Sequence, residues 1–268
     1  MVTRENNHMA VFAQSVSIGD SVRLPIVGLG TWAVRGRSGQ KVIRRALDVG
    51  YRHLDTARVY RNEEDVGRAV RDSGIAREDV FITTKLPPDR AGRVPETLSA
   101  SLAALDTEYV DLWLIHWPPD GAASPETWRA LVAARREGRA RAIGVSNYSI
   151  AQIDELIETT GEVPAVNQVK WSPSLHDPDR LAAHRERDIV LEGYSPFKST
   201  SLRHPTLVEI ANAHDVTPAQ VVVRWHIQHG IVVIPKTAQL DRLQTNGEVG
   251  RFELDAAEMA RTDGMSGR

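Results

Sequence analysis

Residues 52–60, Arg52-His53-Leu54-Asp55-Thr56-Ala57-Arg58-Val59-Tyr60, set a carboxylate and a phenol five positions apart where an apolar run breaks into a loop. Lys85 and His116 follow at the ends of the next two apolar runs. An acid, a phenol, an amine and an imidazole are the parts needed to hand a proton to a carbonyl oxygen. A free tyrosine, with a pKa of about 10, is a poor acid at neutral pH. A cationic amine beside it favours the phenolate and makes it a better one. At about 4 Å and an effective dielectric of about 20 that attraction is roughly 4 kcal/mol, equivalent to a few pKa units. Asp55 would keep Lys85 charged and oriented, and His116 would polarise the carbonyl. Taken singly, each residue has a plainer reading. Tyr60 would be a packing residue, His116 a satisfied core histidine, Lys85 a solvated amine and Asp55 a turn cap. The chemistry depends on a fold that brings them together.

The elements that would do so recur along the chain. Apolar runs at 26–29, 53–55, 80–85, 110–116, 142–146, 165–169, 189–194 and 231–235 alternate with amphipathic stretches. The repeat is roughly 30 residues, the length of a βα unit. Eight such units predict a closed (β/α)₈ barrel, with an open doubly wound sheet as the alternative. Asp55, Lys85, His116, Ser146, Gln168, Tyr194 and Lys236 each fall at or just after the end of a run. In a barrel those ends share one face, where the βα loops build the active site.

Ahead of the repeat, Ser15-Val16-Ser17-Ile18 and Ser21-Val22-Arg23-Leu24 flank Gly19-Asp20, the pattern of a β-hairpin. Its expected place is across the bottom of the barrel. Residues 1–13 read as a disordered lead-in and 14–268 as one barrel domain. Ser149 to Gln152 and Thr217 to Gln220 have capping-box spacing, and Asp177-Pro178 is a cap followed by proline. Gly50, Gly74, Gly138, Gly161 and Gly230 sit where helices should stop. The seventh unit holds two helices, about 204–215 and 218–229. The Arg135-Arg136-Glu137-Gly138-Arg139 cluster reads as a solvated helix end.

Composition narrows the class. The 268 residues are 41% apolar and 25% charged, with a net charge of −2, so no global basic field favours nucleic acid. The absence of cysteine rules out disulfides, thiolate metal sites and a cysteine nucleophile. The polar start lacks the apolar core of a secretory signal, and no stretch approaches a membrane span. The expectation is a soluble, cytoplasmic, monomeric protein acting on a small molecule, with no nucleic-acid or membrane partner.

Several segments, in this order and spacing, resemble the aldo-keto reductase family. They are Gly28-Leu29-Gly30-Thr31-Trp32, Tyr51-Arg52-His53-Leu54-Asp55-Thr56-Ala57 with Tyr60 and Asn62-Glu63-Glu64, and the strand ending in Lys85. Asp111-Leu112-Trp113-Leu114-Ile115-His116-Trp117-Pro118, Gly144-Val145-Ser146-Asn147, Asn167-Gln168, Tyr194-Ser195-Pro196 and Ile234-Pro235-Lys236-Thr237 continue it. The resemblance runs from about Val22 to Met259, and the short chain is similar to bacterial members such as the 2,5-diketo-D-gluconate reductases. It implies a catalytic tetrad of Asp55, Tyr60, Lys85 and His116, and an NADPH-dependent reduction of aldehydes and ketones to alcohols. It implies that NADPH lies at the mouth against Gly30, Thr31, Trp32 and Asp55. Ser146, Asn147 and Gln168 would hold the nicotinamide carboxamide, and Tyr194 would stack on the ring. Ser195, Pro196, Phe197 and Ser199 would follow the pyrophosphate. Lys236, Thr237, Arg242 and Asn246 match the pocket for the adenosine 2′-phosphate, where two cations give charge-assisted bonds. Trp32, Tyr60, His116 and Trp117 would wall the substrate. Gly28-Leu29-Gly30 is not a Rossmann fingerprint, since the third glycine and the helix start are missing.

The chain departs from the family in places. Arg58 and Arg61 flank the tyrosine where small or neutral residues are usual, placed either to attract an anionic substrate or simply to be solvated. Leu86-Pro87-Pro88 replaces a common pocket aromatic, and Ser172-Pro173 replaces His-Pro. The loop after His116 is short and the tail after the barrel brief, which predicts an open, permissive pocket. Two other readings compete. One is a non-catalytic barrel that binds NADP(H) as a sensor or subunit. The other is a metal-dependent hydrolase, for which His53 and Asp55 have ligand spacing but lack convergent partners. No metal is expected.

Overall fold

A computed structural model describes residues 11–19 and 21–266. Eight parallel strands form one sheet in chain order: β3 (Leu29–Gly30), β4 (His53–Asp55), β5 (Phe81–Leu86), β6 (Val110–Ile115), β7 (Ala140–Ser146), β8 (Val166–Lys170), β9 (Val190–Tyr194) and β10 (Val232–Ile234). The sheet curls until its two ends meet. Gly28 N donates to Val233 O and Val233 N to Ile26 O, both at 2.9 Å, so residues 26–28 pair with β10. This is a (β/α)₈ barrel. Each of the eight predicted runs supplies a strand. The first is the shortest because Leu29 and Gly30 pair with β4 while the residues before them pair with β10.

Strands β5 and β6 are buried at every position, as parallel strands covered on both faces must be. Their polar side chains therefore need partners. Asp111 takes Arg77 and Ile82 N on Oδ2, both at 2.9 Å, and Arg141 on Oδ1 at 3.1 Å. The helices stop and start where the sequence signals them. Both predicted capping boxes form, at Ser149/Gln152 and Thr217/Gln220, and Asp177 caps through Arg180 N. A third box, Asp255/Glu258, starts the last helix, Ala256–Asp263. Gly74 and Gly161 end their helices at φ 71° and 72°, a conformation costly for side chains with a Cβ. The seventh unit holds two helices, Pro205–Ala213 and Pro218–Gln228. Arg135 and Arg136 are not simply solvated, because both pair with Glu162 at 2.7 Å.

The hairpin is β1 (Ser15–Ile18) against β2 (Val22–Pro25). It leads directly into residues 26–28, so it lies at the N-terminal end of the barrel strands and buries Ile18 and Leu24 there. Gly19 takes φ 56° in its turn, while Asp20 lies outside the described residues. The lead-in expected over 1–13 needs a correction at its end. Val11 and Phe12 are core residues, because two adjacent apolar side chains find a pocket there. Residues 1–10 lie outside the description. Phe12 rests on Gly247, where an added Cβ would come within 2.1 Å of its ring. Gly247 ends the helix Leu240–Gly247, which Tyr51 also ties down by donating from its hydroxyl to Leu243 O at 3.1 Å. No helix among the described residues is long and apolar enough to cross a membrane.

Candidate active site

The C-terminal strand ends surround a cavity of about 580 Å³. Asp55 ends β4, and Lys85 is the penultimate residue of β5. Both are buried. Lys85 Nζ donates to both Asp55 oxygens, at 2.8 and 2.6 Å, and to Thr56 O at 2.9 Å. Burial alone would lower the pKa of Lys85, but Asp55 and the other anionic partners outweigh it and hold the amine charged. Thr31 N and its hydroxyl both donate to Asp55 O at 2.9 Å. Asn62 Nδ2 then ties down Thr31 O and Val34 O, each at 2.9 Å. This lattice fixes the loop that carries Tyr60.

Tyr60 ends a single 3₁₀ turn, Arg58–Tyr60, closed by Arg61 in the left-handed region at φ 53°. Its ring faces Lys85, whose Nζ lies 5.3 Å from the centroid. The expected acid-strengthening by Lys85 is present but is not the larger effect. Burial pushes the phenol's pKa up, Lys85 pulls it down through charge and a hydrogen bond, and Asp55 and Glu192 push it up again. The net shift is upward, so Tyr60 holds its proton in the resting protein. His116 meets Tyr60 edge-on, with centroids 5.8 Å apart. Burial, then the charge of Lys85, lowers its pKa to about 3. It is a neutral imidazole at neutral pH, able to donate one hydrogen bond and carrying no charge that would oppose Lys85.

Opposite this group the cavity is lined by amide and hydroxyl chemistry. Ser146 Oγ donates to Gln168 O at 2.8 Å, and Asn147 Nδ2 donates to Ser146 Oγ at 2.9 Å and His116 O at 3.2 Å. Tyr194 donates from its hydroxyl to Asn147 Oδ1 at 2.9 Å, which fixes its ring as a half-buried wall. Asn147 and Ser195 both hold positive φ, 63° and 54°, at the rim. Non-glycine residues in that region concentrate at functional sites. Gln168 differs from expectation in its engagement, since its amide nitrogen is already donated to Asp55 Oδ2 at 2.8 Å.

Gly30, Trp32, Asp55, Ser146, Asn147, Gln168, Tyr194, Ser195, Pro196, Phe197, Lys236 and Trp117 all line this cavity with Tyr60 and His116. Lys85 and Thr31 lie buried behind its wall. Gly30 leaves room for the closing loop, since a Cβ there would sit 3.0 Å from Ile234 O. Ser199, Thr237, Arg242 and Asn246 lie outside the cavity. Thr237 hydroxyl accepts from Gln239 N at 3.0 Å, while Arg242 is exposed on the helix Leu240–Gly247, which also carries buried Asn246. Trp32 and Trp117 are half exposed at the mouth.

Two residues escaped the sequence reading. Lys198 lies over the Trp32 ring, Nζ to centroid 5.1 Å, and lines the mouth. Its position four residues after Tyr194 was the available signal. Glu192 is buried in the barrel interior on β9. Arg58 does not line the cavity and pairs at 3.1 Å with buried Glu63, which also accepts from the Thr84 hydroxyl at 2.7 Å. A larger neighbouring cleft of about 900 Å³ includes Arg61, Arg90 and Arg93 but none of the strand-end residues. Among the described residues, one group has metal-ligand character, His176, His229 and Asp263. It is outside this cavity and already joined by hydrogen bonds, His229 Nε2 to Asp263 Oδ1 at 2.8 Å and Trp225 Nε1 to the same oxygen at 2.7 Å.

A buried Lys–Asp pair, a tyrosine and a neutral histidine thus come together at the mouth of a (β/α)₈ barrel. The chain belongs to the aldo/keto reductase family, whose model matches residues 26–266. It is 41% identical over 248 residues to an aldo-keto reductase of Mycolicibacterium smegmatis, covering 91% of this chain and 90% of that one. The crystal structure of an aldo/keto reductase from Brucella melitensis superposes with a TM-score of 0.91 at 37% identity, covering 94% of this chain and 99% of that one. The Bombyx mori aldo-keto reductase in complex with NADP superposes with a TM-score of 0.87 at 32% identity, covering 96% and 94%.

Proposed function

We propose that this protein reduces aldehydes and ketones to alcohols with NADPH, and that Tyr60 delivers the proton. The observation that carries the reading is the convergence of four side chains from three segments of the chain. Asp55, Tyr60, Lys85 and His116 meet at one cavity, with Lys85 bonded to Asp55 and facing the Tyr60 ring. NADP bound to the Bombyx mori relative supports the cofactor. The site fits a nicotinamide on its own chemistry. Ser146, Asn147 and Gln168 offer a carboxamide both donors and acceptors, and Tyr194 offers a held aromatic face.

When bound, NADPH supplies the hydride that no side chain carries. Negative charge then grows on the substrate oxygen, and Tyr60 gives up its proton to it. The phenolate left behind faces Lys85, which is why an amine fixed at full charge matters. His116, neutral, donates a hydrogen bond to the same oxygen and orients the carbonyl. Trp32 and Trp117 shield the substrate's apolar part. Lys236, Thr237, Arg242 and Asn246 are proposed to take the adenosine 2′-phosphate. The test is NADPH oxidation followed across a panel of aldehydes, ketones and keto-sugars. Turnover of at least one class is expected, and absence of turnover with intact NADPH binding would favour a non-catalytic nucleotide-binding barrel.

A further inference from the structure

Glu192 is a buried carboxyl that the reduction just described does not use. It sits on β9 two residues before Tyr194, fully enclosed, and neither carboxyl oxygen has a hydrogen-bond partner. Its register partner on β8 is Gln168, whose amide nitrogen donates to Asp55 Oδ2 at 2.8 Å. From β4, His53 Nε2 approaches Glu192 Oε1 to only 3.7 Å and instead lies 3.1 Å from the Thr83 hydroxyl on β5. Burial lowers the pKa of His53 to about 3, so it brings no positive charge. The titratable groups facing Glu192 are therefore Asp55 and His53 from β4 and Lys85 from β5, with Tyr60 within electrostatic reach. β8 contributes the neutral Gln168, and β10 is the apolar Val232–Ile234.

Lys85 is already neutralised by Asp55. An ionised Glu192 would be a second buried anion with no cation of its own, and the neighbouring Gln168 amide, already bonded to Asp55, and the shared charge of Lys85 offset burial and the Asp55 charge only in part. A protonated Glu192 adds no charge. We propose that Glu192 is a positioning residue that carries a proton in the resting enzyme and, beside Gln168 and Asp55, sets the charge balance felt by Tyr60. Burial and then the charge of Asp55 push its pKa up to about 8, and it is one of the groups that raise the pKa of Tyr60. When Glu192 loses its proton, the new negative charge opposes the phenolate that Tyr60 becomes on delivering its own. Reduction then slows while the substrate pocket is unchanged.

The inference rests on Tyr60 as the proton donor, and two measurements keep the questions separate. The first is the pH dependence of kcat for reduction. The wild type should lose rate as pH rises through about 8. Glu192→Gln, which mimics the protonated form, should move that fall upward by about one pH unit or more, while Glu192→Asp keeps it. Superimposable wild-type and Glu192→Gln profiles would overturn the proposal. The second is an infrared pH titration of wild-type enzyme with isotopically labelled glutamate, which needs no variant and no turnover. A protonated glutamate band at neutral pH that disappears in alkali is expected, and its absence at neutral pH would overturn the proposal. A Tyr60→Phe enzyme that remains active beside a clear infrared band would reject Tyr60 as donor. An inactive Tyr60→Phe enzyme without the band would reject the role of Glu192.

Discussion

Gln168 and Asp55 meet across the barrel, with Nε2 of the amide 2.8 Å from Oδ2 of the carboxylate. Their strands, β8 and β4, have three others between them. The same carboxylate is gripped by Lys85 through both oxygens. Asp55 is therefore held from two sides, and Lys85 inherits its aim. A hydrogen bond between residues 113 positions apart thus makes the aim of Lys85 depend on β8 as well as on β4.

Breaking that ion pair should cost more than deleting it. Lys85→Met leaves a buried carboxylate without its cation, and about 3–5 kcal/mol of stability is the usual loss. The double variant Asp55→Asn with Lys85→Met removes both charges and should recover a large part of it. Chemical denaturation of the single and double variants checks this, with reductase activity absent from both. Equal stability of the single variant and wild type would show the pair to be solvated in practice.

Tyr60→Phe keeps the ring and removes the proton. Reduction should fall by at least the roughly 10²–10⁴-fold ascribed to positioned acids. NADPH affinity, read from quenching of tryptophan fluorescence, should hold steady. A variant that still reduces aldehydes at the wild-type rate would move the acid role elsewhere.

Cofactor choice should reside in Lys236 and Arg242. A hydrogen bond to a charged group contributes about 1.5–3 kcal/mol, so Arg242→Ala should weaken NADPH by roughly 10–100-fold. NADH, which has no 2′-phosphate, should bind the variant and the wild type alike. Titrating both cofactors against both proteins gives the answer, and parallel losses for the two would place Arg242 away from the 2′-phosphate.

Acid should destabilise the fold in a defined window. Burial first of all lowers the pKa of His53 and His116 from 6.5 to about 3 and that of His226 to about 4. The unfolded chain takes up these protons near pH 6.5 and the folded chain resists, so stability is full above 6.5 and falls as pH drops towards the folded values. Each group contributes a slope of about 1.4 kcal/mol per pH unit. Glu192 acts in the opposite sense, because its folded pKa is raised from 4.5 to about 8. Its stabilisation is complete below 4.5 and lost as pH rises through about 8. Three histidines outweigh one carboxyl, so urea midpoints should drop between pH 6.5 and 4.5 and more steeply below. A flat profile over that range would mean these imidazoles are reached by water.

The strands were legible because fully buried parallel strands such as Leu112-Trp113-Leu114-Ile115 are written as apolar runs of the right length. The polar residues closing those runs marked the mouth, and Asp55, Lys85 and His116 were found that way. Partnerships across the barrel were not legible. Nothing near Gln168 in the chain signals that its amide will be spent on Asp55. Glu192 passed unnoticed between Leu191 and Gly193, although a charge inside an apolar run was itself the signal. The acidity of Tyr60 was misjudged in sign because its burial, unlike its neighbouring amine, has no mark in the local sequence. The pairing of Arg58 with Glu63 likewise has no mark in the local sequence.

Phe12 leaning on Gly247 links the beginning of the described chain to the helix that displays Arg242 and Asn246. That helix is also tied down by Tyr51 and by its packing against the helices Gly36–Asp48 and Pro218–Gln228. Under the proposed reading, in which Arg242 and Asn246 hold the 2′-phosphate, the packing of the leading segment and nucleotide grip are thereby mechanically joined. Shortening the protein past Phe12 would first show itself as a higher KM for NADPH, with kcat surviving.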